Sequence, residues 1–313
     1  MPLAERYLTA ARQRARGLVL PPDVRGMAPF VEALRLMRQG RWAPARARFD
    51  ETAAIFREST TTTELTLARS FQLMMAAHMQ DLRETRRQHD LIHRHADECG
   101  GTLGIVHIGL VGSYLELLAG RFDDATESLM RTVEVFADSA PNAQHAALRL
   151  YTYCAEIYRD DCARARRELA IEVRRARPFR FLSTMHAGNF AFIEALIEAN
   201  ALRVGDRDAS AARIDRLAAI GESAPPLWAG GTWRARAYAA DALGRPEDAL
   251  LYLGRAEEEA ARYERKVDVA IARWQRGKRL GGDYGAELRT SAEELVRSLE
   301  VSPLLLQEDA GLR

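Results

Sequence analysis

Apolar positions recur at intervals of three and four along residues 28–39, 62–79, 102–119, 142–158, 184–203, 230–243 and 265–280, the spacing that places one apolar stripe on a helix. Between these runs the chain punctuates at a nearly constant step. Gly40-Arg41-Trp42-Ala43-Pro44-Ala45, with Phe49 and Thr52 behind it, returns as Gly120-Arg121-Phe122 with Ala125, Leu129 and Thr132. Gln80-Asp81-Leu82 with Thr85 is a degraded copy, and Asp160, Cys162, Ala165 and Leu169 keep the register. Gly205 with Ser210, Ile214 and Leu217, then Gly244-Arg245-Pro246 with Ala249, Leu253 and Ala256, carry it on, and a weak copy begins at Gly282 with Tyr284. The anchors fall at 40, 80, 120, 160, 205, 244 and 282, in steps of 40, 40, 40, 45, 39 and 38 residues. A fixed period of this size marks a repeat array.

Each unit reads as a helical hairpin. Gly40, Gly120, Gly205 and Gly244 end an amphipathic run, where a residue must enter the left-handed region that glycine adopts without steric cost. They end helix A. Trp42, Phe122 or Tyr284 is expected to cover the turn, and Ala45, Ala125 and Ala249 to let helix B approach helix A closely. Phe49, Leu129, Ile214 and Leu253, one turn further on, project towards the next unit. Thr61 with Glu64 three residues later has a capping-box pattern, and Pro21-Pro22 precedes the first hairpin.

Further breakers, Gly100-Gly101, Pro141, Pro178 and Pro225-Pro226, separate units without a long polar linker. Residues 1–20 are expected to hold an extra amphipathic N-terminal helix, 26–300 the hairpins and 301–313 a tail that frays beyond Pro303. The 313 residues suggest about two domains by length alone, but the continuous period makes residues 1–313 one array of about seven hairpins. Composition agrees. The 53 Ala against 24 Val plus Ile favour helix over strand, so a sheet-based enzyme fold is not expected.

The 45 basic and 44 acidic residues nearly cancel, which disfavours a nucleic-acid or anionic-membrane partner. Lys266 and Lys278 are the only lysines beside 43 Arg, a bias expected of a GC-rich bacterial genome. Three scattered cysteines, Cys99, Cys154 and Cys162, make no disulfide framework, and no leader or long apolar span stands out. A soluble, cytoplasmic protein is the expectation.

Gly40-x-Trp42-x-x-Ala45-x-x-x-Phe49 and Gly244-x-x-x-x-Ala249-x-x-x-Leu253-x-x-Ala256 resemble the second half of a tetratricopeptide repeat. The steps here exceed that family's usual 34 residues, consistent with each helix being longer by a turn. Ala33 and Ala237 fit the small residue expected in helix A, whereas Arg236 stands where the family has Leu. The resemblance implies an all-α, right-handed α-solenoid over about residues 28–300. A narrower likeness, Ala239-Ala240-Asp241-Ala242-Leu243-Gly244-Arg245 with Ala272-Arg273 and Leu280-Gly281-Gly282, is similar to the repeat tail of bacterial serine/threonine kinase–STAND ATPase signalling proteins. That likeness implies a regulatory, partner-sensing region. No G-x-x-x-x-G-K-[ST], H-R-D or D-F-G is present, so kinase or ATPase activity would lie outside this chain.

Three clusters carry candidate chemistry. His89, His93, His95 and Cys99 are the most metal-like, since His89 and His93 share a helix face, but no fourth ligand is evident and a polar helix B is the favoured reading. A metal-dependent enzyme is accordingly a minor alternative, and no metal or cofactor is expected. Cys154, on an apolar face with Leu150 and Ile157, reads as a buried thiol beside Cys162. The stretch Arg159, Arg164, Arg166, Arg167, Arg174, Arg175, Arg177 and Arg180 reads as a solvated helix B laced by Glu168 and Glu172, or as a seat for an acidic protein.

Recognition is the better supported chemistry. In a superhelix of this type helix A lines the concave face, which nominates Arg38, His78, His107, Tyr114, Tyr158, His186, Asn189, Arg234 and Tyr238 as partner-binding residues. Trp228 joins them because a Pro/Gly-containing connection places an indole near the surface, while Trp233 suits the start of helix A. The Lys/Asn carboxylate clamp of chaperone-tail-binding tetratricopeptide domains is absent, since Phe30 and Leu34 occupy its first-unit positions, so a C-terminal carboxylate is not the favoured ligand. The sequence thus predicts a non-catalytic scaffold that binds a protein or peptide. The alternative is an intramolecular regulatory tail of a kinase–ATPase.

Overall fold

The computed structural model describes residues 17–59, 62–99, 102–135, 184–206, 208–223 and 229–307, with isolated positions within 6–14 and 166–171. The N-terminal helix, the helix over 142–158 and the anchor at Asp160 therefore lie largely outside the described residues. The elements are α1 (Pro22–Arg38), α2 (Trp42–Phe56), α3 (Thr63–His78), α4 (Leu82–Cys99), α5 (Thr102–Leu118) and α6 (Phe122–Val135). They continue with α7 (Thr184–Arg203), α8 (Ala211–Ser223), α9 (Ala229–Ala242), α10 (Pro246–Arg262), α11 (Lys266–Leu280), α12 (Gly282–Ser298) and α13 (Leu304–Gln307). No strand occurs among the described residues. The fold is an all-α solenoid of tetratricopeptide-like hairpins.

The repeat anchors at 40, 80, 120, 205 and 244 are left-handed turn residues. Gly40, Gly120, Gly205 and Gly244 have φ of 69°, 77°, 79° and 69°, and Gln80 takes the same conformation at 56°. In each turn the next N–H reaches back five residues: Arg41 to Leu36, Asp81 to Ala76, Arg121 to Glu116, Asp206 to Ala201 and Arg245 to Ala240. Those bonds satisfy the last helical carbonyls. Glu264 and Glu300, with φ of 56° and 57°, close helices α10 and α12 in the same way, where no glycine marks the spot.

Packing follows the expected pattern. Ala45, Ala125 and Ala249 are fully buried between paired helices, as are Phe49, Leu129, Ile214 and Leu253. The A helices touch in the series α1–α3–α5 and again in α7–α9–α11, which makes them the inner layer. Trp42 is buried and its indole N–H donates to the Tyr263 carbonyl at 2.9 Å.

Three local expectations are corrected. Tyr284 does not cover a turn and is 56% exposed, because Gly281 and Gly282, both at positive φ, lead straight into α12 and leave no loop to cover. The N-cap of α3 is Thr62, with no side-chain cap bond, in place of a Thr61 capping box. The tail is not frayed over its described length: Val301, Leu305 and Leu306 are buried against Leu82, Leu118 and Ile271.

That last contact reflects a larger feature. The chain returns on itself, so that the turns of the first three hairpins meet the far end of the array. Arg265 donates to the His78 carbonyl at 3.4 Å, the Val267 N–H donates to Gln80 Oε1 at 2.7 Å, and the Ser302 N–H donates to the Leu118 carbonyl at 2.8 Å. Arg86 and Glu300 form an exposed ion pair across the same seam.

Candidate functional site

Where the two ends meet, five A helices line a cavity of roughly 130 Å³ that is partly open to solvent. Its apolar wall comes from Met74 and Ala77 of α3, Leu110, Val111, Leu117 and Leu118 of α5, Phe192 of α7 and Ile271 of α11, with Leu305 at one side. Gly231 of α9 forms part of the floor because a Cβ there would meet the Phe192 ring at 2.1 Å. The volume is that of one or two side chains.

The polar side is built from His78, Gln80, Tyr114, Arg234, Arg265 and Asp268. Asp268 accepts from Arg265 Nε at 2.5 Å and from Gln80 Nε2 at 3.1 Å, and Arg234 NH2 lies 3.6 Å from its other oxygen. Burial pushes the Asp268 carboxyl up, but the guanidiniums of Arg265 and Arg234 with the two hydrogen bonds outweigh it and hold the group below the usual carboxylate range. Burial raises the Tyr114 phenol, so it stays protonated. Burial first, and the Arg265 charge second, lower the His78 imidazole to about 3. His78 is therefore neutral at physiological pH.

That shift carries a pH dependence. The folded-state value lies below the ordinary 6.5, so the unfolded chain binds the proton first and stability is lost as pH falls below 6.5 towards 3. His78→Gln is expected to flatten the stability profile between pH 6.5 and 4 by about 1 kcal/mol per pH unit relative to the unaltered chain. Urea denaturation at a series of pH values measures the difference, and parallel profiles would contradict it.

Of the residues nominated on sequence, the structure brings His78, Tyr114 and Arg234 together at this cavity. His107 sits on α5 against Phe71, ring centroids 6.3 Å apart, and Arg38 is exposed at the end of α1. Tyr238 is a correction: at 2% exposure it belongs to the core with Phe190, Ile197 and Ile214, because α7 packs over that face of α9. His186 and Asn189 fall on α7 without described side chains, and Tyr158 and Trp228 lie outside the described residues. Sequence reasoning missed Gln80, Arg265 and Asp268, of which only Gln80, at a turn position otherwise held by glycine, gave any signal.

The other clusters resolve into structural roles where they are described. His95 Nε2 bonds to Thr66 Oγ1 at 2.8 Å, His89 Nε2 to the Ile108 carbonyl at 3.1 Å, and the His89 and His93 rings meet edge to face at 4.8 Å. Among the described residues no group of three or more His, Cys, Asp or Glu side chains is placed to hold a metal ion. Arg166 pairs with Asp206 and Glu198, while most of the arginine stretch and Cys154 with Cys162 lie outside the described residues. Trp233 is half-buried, stacked on Tyr252 at 5.8 Å with Arg236 and Arg255 over its faces. Among the described residues no helix is long and apolar enough to cross a membrane.

No family model and no curated protein matches the sequence. In fold the chain is similar to the Rap protein whose crystal structure was determined complexed with competence and sporulation factor, with a TM-score of 0.65, 10% sequence identity, and coverage of 91% of this chain and 80% of that chain.

Proposed function

We propose that this chain is a non-catalytic repeat scaffold that binds a peptide segment of its partner in the groove of its A helices, as a single regulatory solenoid domain in a bacterial, cytoplasmic signalling protein. One observation carries the reading: a cavity with an apolar wall and a hydrogen-bonding side, lined by α3, α5, α7, α9 and α11. Mostly apolar pockets with a few convergent polar groups are how proteins hold small ligands and anchor side chains. That a neighbour in fold was crystallised complexed with competence and sporulation factor supports the same class of role. A second reading, favoured by the Ala239–Arg245 likeness, places the groove in the service of a kinase–ATPase whose catalytic domains lie outside this chain.

The test is selection of peptides from a random display library on the purified chain. Selected peptides are expected to lose roughly tenfold or more in affinity against Met74→Trp, which fills the cavity, and to bind Met130→Ala, altered on the exposed face of α6, as they bind the unaltered chain. Peptides indifferent to Met74→Trp would overturn the proposal.

A further inference from the structure

The segment after α12 is anchored like a bound peptide. Glu300 turns the chain through a left-handed conformation, and the Ser302 N–H then donates to the Leu118 carbonyl. That carbonyl ends α5, where the helix itself offers no donor. The Ser302 side chain lies over Gly120, at 2.6 Å from where a Cβ would stand, so the seat exists because this turn residue is glycine. Val301, Leu305 and Leu306 are 5%, 2% and 1% exposed, whereas Pro303 and Leu304 between them face solvent. Leu305 also lines the cavity.

A helix of 4 residues has no stability of its own, and the ion pair of Arg86 with Glu300 is exposed on both sides. Three apolar side chains and one backbone hydrogen bond form a seat of the size a short peptide uses, at the edge of the cavity assigned to partner binding.

We propose that residues 300–307 are an internal ligand, and that a partner peptide of the same chemistry displaces them. The partner this seat fits carries an acidic residue facing Arg86, an apolar residue after it, a backbone N–H for Leu118, and two adjacent apolar side chains on one helical turn. Tethering gives the internal segment a high effective concentration, so the array is closed until a tighter peptide, or an excess of one, takes its place. Binding and tail release are then one event. The inference rests on the proposed reading of the groove as a peptide site.

The probe is a labelled synthetic peptide of residues 299–308, measured by fluorescence anisotropy. The full chain carrying Leu305→Ser and Leu306→Ser is expected to bind it about tenfold or more tightly than the unaltered chain, and a peptide with the same two serines is expected to bind neither. Equal binding to both chains, or to neither, overturns the inference. Hydrogen exchange on the unaltered chain decides independently of that variant's folding: amides 301–306 are expected to open about tenfold or more often than those of α11. Exchange together with α11 would make the tail part of the core and overturn the inference. A failed Met74→Trp test with independent tail opening would instead remove the groove reading and leave the detachable tail.

Discussion

Asp268→Asn is expected to destabilise the chain by about 3–5 kcal/mol at neutral pH, the range found when one member of a buried ion cluster is neutralised. The substitution keeps size but replaces one acceptor oxygen with a donor amide, and it leaves the guanidiniums of Arg234 and Arg265, 4% and 7% exposed, without the carboxylate they share. The effect should also be non-local. In a solenoid most stability comes from each repeat and its neighbours, and Asp268 with Gln80 ties hairpins 188 residues apart. Denaturation of the variant is therefore expected to show the first three hairpins unfolding separately from the last two, where the unaltered chain unfolds them together. Because the folded-state carboxyl is depressed, the stabilisation is present above the ordinary value of 3.8 and is lost as pH falls through the lower folded-state value. A loss under 1 kcal/mol would mean that water screens the cluster.

Phe49→Ala is expected to cost a similar amount, about 3–5 kcal/mol, by loss of transfer energy and creation of a cavity. Phe49 is fully buried, stacks on Phe71 at 5.7 Å and meets Phe30 edge to face at 6.0 Å, so one ring joins α1, α2 and α3. Phe49→Leu retains most of the volume and is expected to cost under about 1.5 kcal/mol. Equal losses in the two variants, measured by urea denaturation, would contradict this by showing that the ring contacts, and not the bulk, supply the stability.

The contrast between these two residues explains what the sequence discloses. Phe49 was legible because its neighbours are neighbours in the chain: an apolar residue nine positions after a helix-ending glycine has a defined face in a repeat. The same logic placed α7 at 184–203 and α3 within a residue of 62–79. It failed at Glu264 and Glu300, where a glutamate adopts the conformation that glycine marks elsewhere. The site was half legible for a related reason. Helix-A periodicity identifies inner-layer residues, which found His78, Tyr114 and Arg234. It does not separate those facing the cavity from those facing the adjacent A helix, and Tyr238, one turn beyond Arg234, belongs to the second kind. Arg265 and Asp268 were out of reach because their contact with Gln80 joins the second hairpin to the last, which no nearest-neighbour pattern encodes.

Hydrogen-exchange footprinting of the unaltered chain, with and without a saturating peptide from the display selection, tests the groove as a binding site most directly. Slowed exchange in α3, α5, α9 and α11 around Met74, Tyr114, Arg234 and Asp268, with faster exchange at 301–306, is the predicted result. Protection confined to the outer helices α2, α4, α6, α10 and α12, or none at all, would contradict it.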